Sequence, residues 1–561
     1  MRSKLFLPLV VAICLLFAIA VNAQSYAITN AKIVTVSGAT IDKGTIVIRN
    51  GIIDAVGANV ATPADAQVFD ATGLTVYPGF IDALTNLGMA APAAPQGGGR
   101  GGGGGGPAPA AAAAAPSSNS NYAAGLRPDD SAFTEIREGE TQFDANRNAG
   151  FTTALTIART GIFNGQSAVI DLAGESVAAM VVKSPFAEHI TFSTIPGQYP
   201  GSLLGTFAAI RQHFLDAQRL QEMEKAYTAN PKGMKRPDMD KSLEALFPAI
   251  NGKMPVVINA NREKEIIRAI DLIKEFKLNG IIAGGQEAWK VTDRLKATNI
   301  PVLLSLNFPK RTAAASPESD PESLDTLRFR AETPKCAAKL AAAGVKFAFQ
   351  SGGATVIGDF FTNAGNAVAG GLSRDAAIRA MTLGSAELLG IDNRLGSIET
   401  GKIANLAIVK GDLFGRDKFV PQIIVDGKVF EQKETPRADP GTGRGPGGGR
   451  GGAAADATPA GPNVGGNYSI TIDIPGQPLT ATLNFTQEGS SITGTMVSQA
   501  GTTQIKDGRV TADSGFSFSG TVNYGGTALD ITVHGTVNGN QVSGTVDSVA
   551  GSVPFSGTKN P

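Results

Sequence analysis

Residues 254–306 read MPVVINANREKEIIRAIDLIKEFKLNGIIAGGQEAWKVTDRLKATNIPVLLSL, and this stretch decides the fold. MPVVINA (254–260), GIIAG (280–284) and IPVLLSL (300–306) are short apolar runs, which predict strands. Between them, REKEIIRAIDLIKEFKLN (262–279) puts Ile266, Ile270, Leu272 and Ile273 on one helical stripe, and QEAWKVTDRLKATN (286–299) predicts a second helix. Strand and helix alternating through short turns predict a parallel sheet covered by helices. The pattern continues with a helix in TPKCAAKLAAAG (333–344), a strand in VKFAFQS (345–351) and a helix in SRDAAIRAMTLGSAELLG (373–390). Eight such units close into a barrel of roughly 250 residues, and residues 79–394 are expected to hold one.

Outside this span the texture changes. AKIVTV (31–36) and GTIVIRNGIIDAVG (44–57) are rich in β-branched residues, with Asn50-Gly51 as a hairpin turn. GSIETGKIANLAIVKGD (396–412) and IIVDGKVFE (423–431) are similar, with Asp426-Gly427 as the turn. Residues 24–78 and 395–433 are therefore expected to form one small composite β-sandwich domain from both sides of the barrel. Residues 466–561 repeat an apolar-x-Gly-Thr unit at ITGT (492–495), FSGT (518–521), VHGT (533–536), VSGT (542–545) and FSGT (555–558), with turn residues between. This predicts an all-β meander of about eight strands, closed or nearly closed. The fold class is thus α/β: a (β/α)8 TIM-like barrel, the composite domain and a C-terminal all-β domain.

Two low-complexity runs punctuate the chain. Residues 90–120 contain GGGRGGGGGGPAPAAAAAAP and are expected to be a disordered insertion; residues 434–465 contain PGTGRGPGGGRGG and are expected to be a linker. Residues 1–23 predict an export signal: Arg2 and Lys4 precede an apolar run from Leu5 to Ala20, and Val21-Asn22-Ala23 is a small-x-small cleavage site. The run is shorter than the ~20 residues of a membrane span, so no span is expected after cleavage and the location is periplasmic or secreted. Charge is balanced at 49 basic and 49 acidic residues, which gives no footing for nucleic acid. After cleavage Cys336 is the single cysteine, expected as a buried structural thiol and not a nucleophile.

NAKIVTVSGATIDKGTIVIRNGIIDAVG (30–57), ATGLTVYPGFIDALTNLG (71–88), MTLGSAELLG (381–390) and GSIETGKIANLAIVKGD (396–412) together resemble the amidohydrolase superfamily, specifically its imidazolonepropionase-like members. The resemblance covers roughly residues 25–430. It implies a small β domain around a barrel that holds zinc or iron and hydrolyses non-peptide or dipeptide C–N bonds, and it implies oligomers. It also implies metal ligands at strand ends, where a bound metal lowers the pKa of water and polarises a carbonyl. The His-x-His pair of the first strand falls on Leu84 and Asn86. The fifth-strand histidine falls on Asn259, with Asn261 after it. The sixth-strand histidine falls on Gly284, and the last-strand aspartate on Gly352, next to Ser351. Leucine has no lone pair and an asparagine amide is a poor ligand for zinc or iron.

Only His189, His213 and His534 exist. His213 is expected to face solvent on a helix and His534 on a strand. His189 is the histidine expected at the barrel mouth. Carboxylates near predicted strand ends are Asp82, Asp171 and Glu287, with Asp82 expected to make structural hydrogen bonds. No nucleophile elbow, P-loop or HExxH occurs.

Three readings stand. The first is a metal-free pseudoenzyme, with no cofactor, whose mouth binds a small molecule or a protein partner through Asn86, His189, Asn259, Asn261, Glu287 and Ser351, and which pairs with itself or with an active relative. The second is a hydrolase acting on C–N bonds of cyclic amides or peptides. The third is a binding protein acting through its C-terminal β domain.

Overall fold

The computed structural model describes residues 25–89, 122–433 and 464–560, with short interruptions inside the last two stretches. The expected export signal, the Gly/Ala/Pro insertion and nearly all of the linker lie outside the described residues. These residues divide into two compact units, 25–433 and 464–560.

In the first unit, strands Ser25–Ile33, Ile41–Arg49, Ile52–Gly57, Gln67–Asp70 and Thr75–Pro78 share one sheet with Leu406–Lys410, Phe419–Val425 and Lys428–Glu431. The composite domain expected as a sandwich is this single continuous sheet, rolled around a core that includes Ile28, Ile33, Ile46, Ile48, Leu406 and Ile408. Ile53 N–H donates to Lys402 O at 2.8 Å and Ala404 N–H to Gly51 O at 2.7 Å, which ties the free edge back to the far side. Both expected hairpin turns form with positive φ at both central residues, Asn50 and Gly51, and Asp426 and Gly427. The two turns abut: a Cβ at Gly427 would lie 2.3 Å from Gly51 Cα.

The barrel begins with Phe80–Thr85 and Phe151–Thr156, paired in parallel. Its third stave, Phe163–Gln166 and Ala168–Asp171, is broken at Ser167 and runs antiparallel to both neighbours. The cause is local. The connection from Thr156 to Phe163 is too short for the crossover that a parallel strand needs. Glu188–Thr191, Val256–Ala260, Gly280–Gly284, Val302–Ser305 and Phe347–Gln350 then follow in parallel. Gly352 N–H donates to Leu84 O at 3.2 Å, joining last strand to first.

Alternation along each strand builds two cores. Ile81, Ala83, Val257, Ile281, Leu303 and Ala348 fill the lumen. Their neighbours Val256, Ile258, Ile282, Val302 and Phe349 face the helices. The helix Glu263–Phe276 buries Ile266, Ala269, Ile270, Leu272, Ile273 and Phe276 against that outer face. Each large side chain there contributes about 1.5–3 kcal/mol of burial. Lys277, at φ 53°, ends the helix in a left-handed turn. Cys336 is buried as expected, and burial pushes its thiol up to about 12.

The sequence expectation for His213 is corrected here. It lies in the helix Leu203–Ala229 but is only 7% exposed. The rings of Tyr122 and Phe163 pack on it at 4.8 and 5.0 Å, so the face that looks polar in sequence is covered by residues far away in the chain. No helix among the described residues is long and apolar enough to cross a membrane.

The second unit has nine strands between Gly466 and Lys559. Eight close a ring, because Leu479–Glu488 pairs with both Gly466–Ile472 and Ser491–Ser498; the short strand Gly501–Gln504 sits beside the latter. Tyr468, Leu483, Phe485, Phe516, Phe518 and Phe555 fill the interior. The repeated Gly-Thr units now have a cause. A Cβ at Gly544 would lie 2.0 Å from His534 O, and one at Gly557 2.1 Å from Ser469 O. At Gly494, Gly544 and Gly557 a neighbouring backbone approaches too closely for any side chain, while at Gly520 and Gly535 a Cβ would meet the side chains of Thr503 and Phe516. His534 is exposed, as expected.

Candidate functional site

The lumen core stops below the strand ends, and above it lies a cavity of about 470 Å³, within the roughly 300–1,000 Å³ usual for small-molecule sites. The first strand contributes Leu84 and Asn86, and the Glu188–Thr191 strand His189 and Thr191. Asn259 and Asn261 come from the next strand end, then Gly284 and Gln286, then Ser305 and Asn307. The last strand supplies Gln350 and Gly352, and the antiparallel stave Asn164. No lining residue among those described is Asp, Glu, Lys or Arg.

Of the six residues expected at the mouth, Asn86, His189, Asn259 and Asn261 line this cavity. Ser351 does not. Strand alternation turns Gln350 into the lumen and Ser351 sideways, where its N–H donates to Asp82 Oδ1 at 2.9 Å and its Oγ lies 2.5 Å from Asp82 Oδ2. Glu287 does not line it either. Its carboxylate accepts from Glu263 N at 2.9 Å, at the start of the 263–276 helix, and pairs with Lys290 and Arg262. Burial pushes its pKa up, but these donors outweigh burial and hold it below the usual range. It is a helix-anchoring residue. Sequence reasoning missed Asn164, Gln286, Ser305, Asn307 and Gln350. The last three continue the period-2 alternation from Leu303 and Ala348, and that signal was present in the strands. Asn164 carried none, because its stave runs against the pattern.

His189 is the histidine at the cavity. Burial drives its pKa down to about 3, so the ring is neutral at ordinary pH. Its Nε2 is 2.8 Å from Ser167 Oγ, which lies 3.3 Å from Ala187 O. Ser167 is fully buried, so this pair offers no accessible nucleophile.

The amides around it are mostly anchored. Asn86 Nδ2 donates to Ile157 O at 2.9 Å, Gln286 Nε2 to Asn307 O at 2.6 Å and Gln350 Nε2 to Leu303 O at 2.8 Å. A backbone carbonyl only accepts, so these contacts fix which end of each amide is nitrogen. Gly284 has φ +90°, and a Cβ there would lie 2.4 Å from Asn261 Oδ1 and 3.2 Å from Asn259 Oδ1. Gly352 has φ +64°. Among the described residues no group of three or more His, Cys, Asp or Glu gathers in a way that could hold a metal. The described lining residues can offer and accept hydrogen bonds; none of them is a charged acid or base.

The chain matches the Amidohydrolase family over residues 289–434. Its structure is similar to that of an amidohydrolase from Thermotoga maritima MSB8, at 25% identity and a TM-score of 0.59, covering 72% of this chain and 100% of that one. A Xaa-Pro dipeptidase with methionine bound in its active site aligns at 17% identity and a TM-score of 0.43, covering 73% and 100%. No curated protein sequence matches the chain.

Proposed function

This chain belongs to the amidohydrolase superfamily, and from that premise we propose that it is a non-hydrolytic member whose barrel mouth binds an uncharged small molecule. The family is typically metal-dependent, and the residues at the strand ends do not fit zinc or iron. Such an ion takes imidazole, thiolate or carboxylate donors. The mouth supplies Leu84, two glycines and neutral amides, plus one buried histidine already engaged with Ser167.

The observation that carries the reading is Gly284. The place where a side chain would begin is taken by Asn261 Oδ1, and the backbone has a φ that L-residues rarely adopt. The site is not a ligand set with one residue exchanged. Its backbone and neighbours are arranged around the absence of a side chain at that strand end.

We further propose export, on the strength of the charged start and apolar run before Ala23. The test of the main reading is elemental analysis of the purified full chain after growth with added zinc and iron. The expected result is transition metal far below one ion per chain, with no chelator-sensitive hydrolysis of cyclic amides or dipeptides. Stoichiometric, tightly held metal would overturn the reading in favour of a C–N hydrolase.

A further inference from the structure

We infer that the molecule bound at the barrel mouth is a neutral polyol, a sugar or sugar alcohol; this rests on the non-hydrolytic reading above. The argument begins with the polarity of the wall. With one N–H each committed to Ile157 O, Asn307 O and Leu303 O, the side chains of Asn86, Gln286 and Gln350 keep their oxygens and a second N–H to offer. The side chains of Asn259 and Asn261 reach beside Gly284 of the neighbouring strand. Asn164 Oδ1 accepts from Thr191 Oγ1 at 2.9 Å, which leaves its nitrogen as a donor.

A wall of neutral amides and hydroxyls selects its ligand by what it leaves unpaired. An anion meets no lysine or arginine among the described lining residues, and amide N–H groups alone do not offset its desolvation. A cation meets the amide oxygens favourably but finds no carboxylate among the described lining residues to offset its desolvation. A cyclic amide or ureide holds its donors and acceptors in one fixed plane, so it pairs only with partners lying in that plane. A hydroxyl donates one hydrogen to any oxygen in reach and still accepts from Asn164 or from water. It rotates to do so, and a polyol carries several. The described lining residues include no Phe, Tyr or Trp, so hydrogen bonds carry the recognition they offer. The cavity of about 470 Å³ has room for a small sugar.

The test is isothermal titration of the full chain with sorbitol, trehalose and maltotriose, against gluconate, choline and hydantoin as anionic, cationic and ureide contrasts. The expected result is saturable binding of at least one neutral polyol and none of the contrasts. The variant is Asn259→Ala, whose side chain is exposed to the lumen and has no hydrogen-bond partner among the described residues. It should melt as the parent does and bind the polyol ~10-fold more weakly, the loss of about one hydrogen bond. A contrast ligand bound in preference, no polyol bound at tens of millimolar, or polyol binding untouched by Asn259→Ala would each overturn the inference. Elemental analysis of the same sample separates the two failures: metal overturns the non-hydrolytic reading, and metal-free protein that ignores polyols overturns this inference alone.

Discussion

Asp82, on the first barrel strand, and Ser351, just past the last, are bonded twice across the seam that closes the barrel, at 2.9 Å through the Ser351 N–H and 2.5 Å through its Oγ. Asp82 also accepts from Leu84 N at 3.3 Å. Both residues are almost fully buried. Ser351→Ala removes the hydroxyl and leaves a carboxylate oxygen desolvated. Urea denaturation should show a loss of about 1–3 kcal/mol, and an unchanged midpoint would show that the seam is held elsewhere.

Stability should fall as pH rises. Burial pushes Asp82 up to about 6, against the partial opposition of Ser351 and Leu84, and pushes Asp171 up to about 7. A carboxyl whose folded pKa exceeds its unfolded value binds its proton more tightly when folded. Its contribution is fully present below the unfolded pKa near 3.8 and is lost as pH climbs through the folded value. For these two groups, denaturation midpoints should therefore decline between about pH 4 and pH 8. A midpoint that rises across that window would contradict the burial of both groups.

Glu188 has no exposure, and neither carboxylate oxygen has a hydrogen-bond partner among the described residues. Burial, with Asp129 and Asp130 nearby, pushes its pKa well above the usual range. Glu188→Met keeps much of the volume and removes two unsatisfied oxygens. It should stabilise the protein by about 1–3 kcal/mol and flatten the pH dependence, both read from denaturation curves at several pH values.

Gly284→Ala should destabilise for two separable reasons. The positive φ costs roughly 1–2 kcal/mol, and the contact with Asn261 Oδ1 adds to it. Gly284→Ala combined with Asn261→Ala should recover only the second part. Full recovery in the double variant would mean that the backbone at Gly284 is not strained.

The unit 464–560 closes its own ring around its own aromatic core. Truncation after residue 433 should leave the barrel's melting transition in place and remove a second one from the calorimetric trace. Loss of the barrel transition would show that the two units fold together.

The sequence by itself determined the architecture. Period-3.6 stripes such as Ile266, Ile270 and Ile273, alternating with apolar strands, can bury their faces only as helices on a sheet, and Asn50-Gly51 and Asp426-Gly427 set the hairpins. The resemblance to the amidohydrolase superfamily put Asn86, Asn259 and Asn261 at the mouth, on the strand ends where that family carries or neighbours its ligands. What only the tertiary structure decided was long-range. Ser351 turned from the cavity to Asp82, which lies 269 positions away in the chain. Glu287 was drawn to the N-terminus of a helix, and His213 was covered by Tyr122 and Phe163. The same holds for the amides: residue type puts an Asn or Gln on a wall, but which of its ends faces the cavity depends on a backbone carbonyl supplied by another strand.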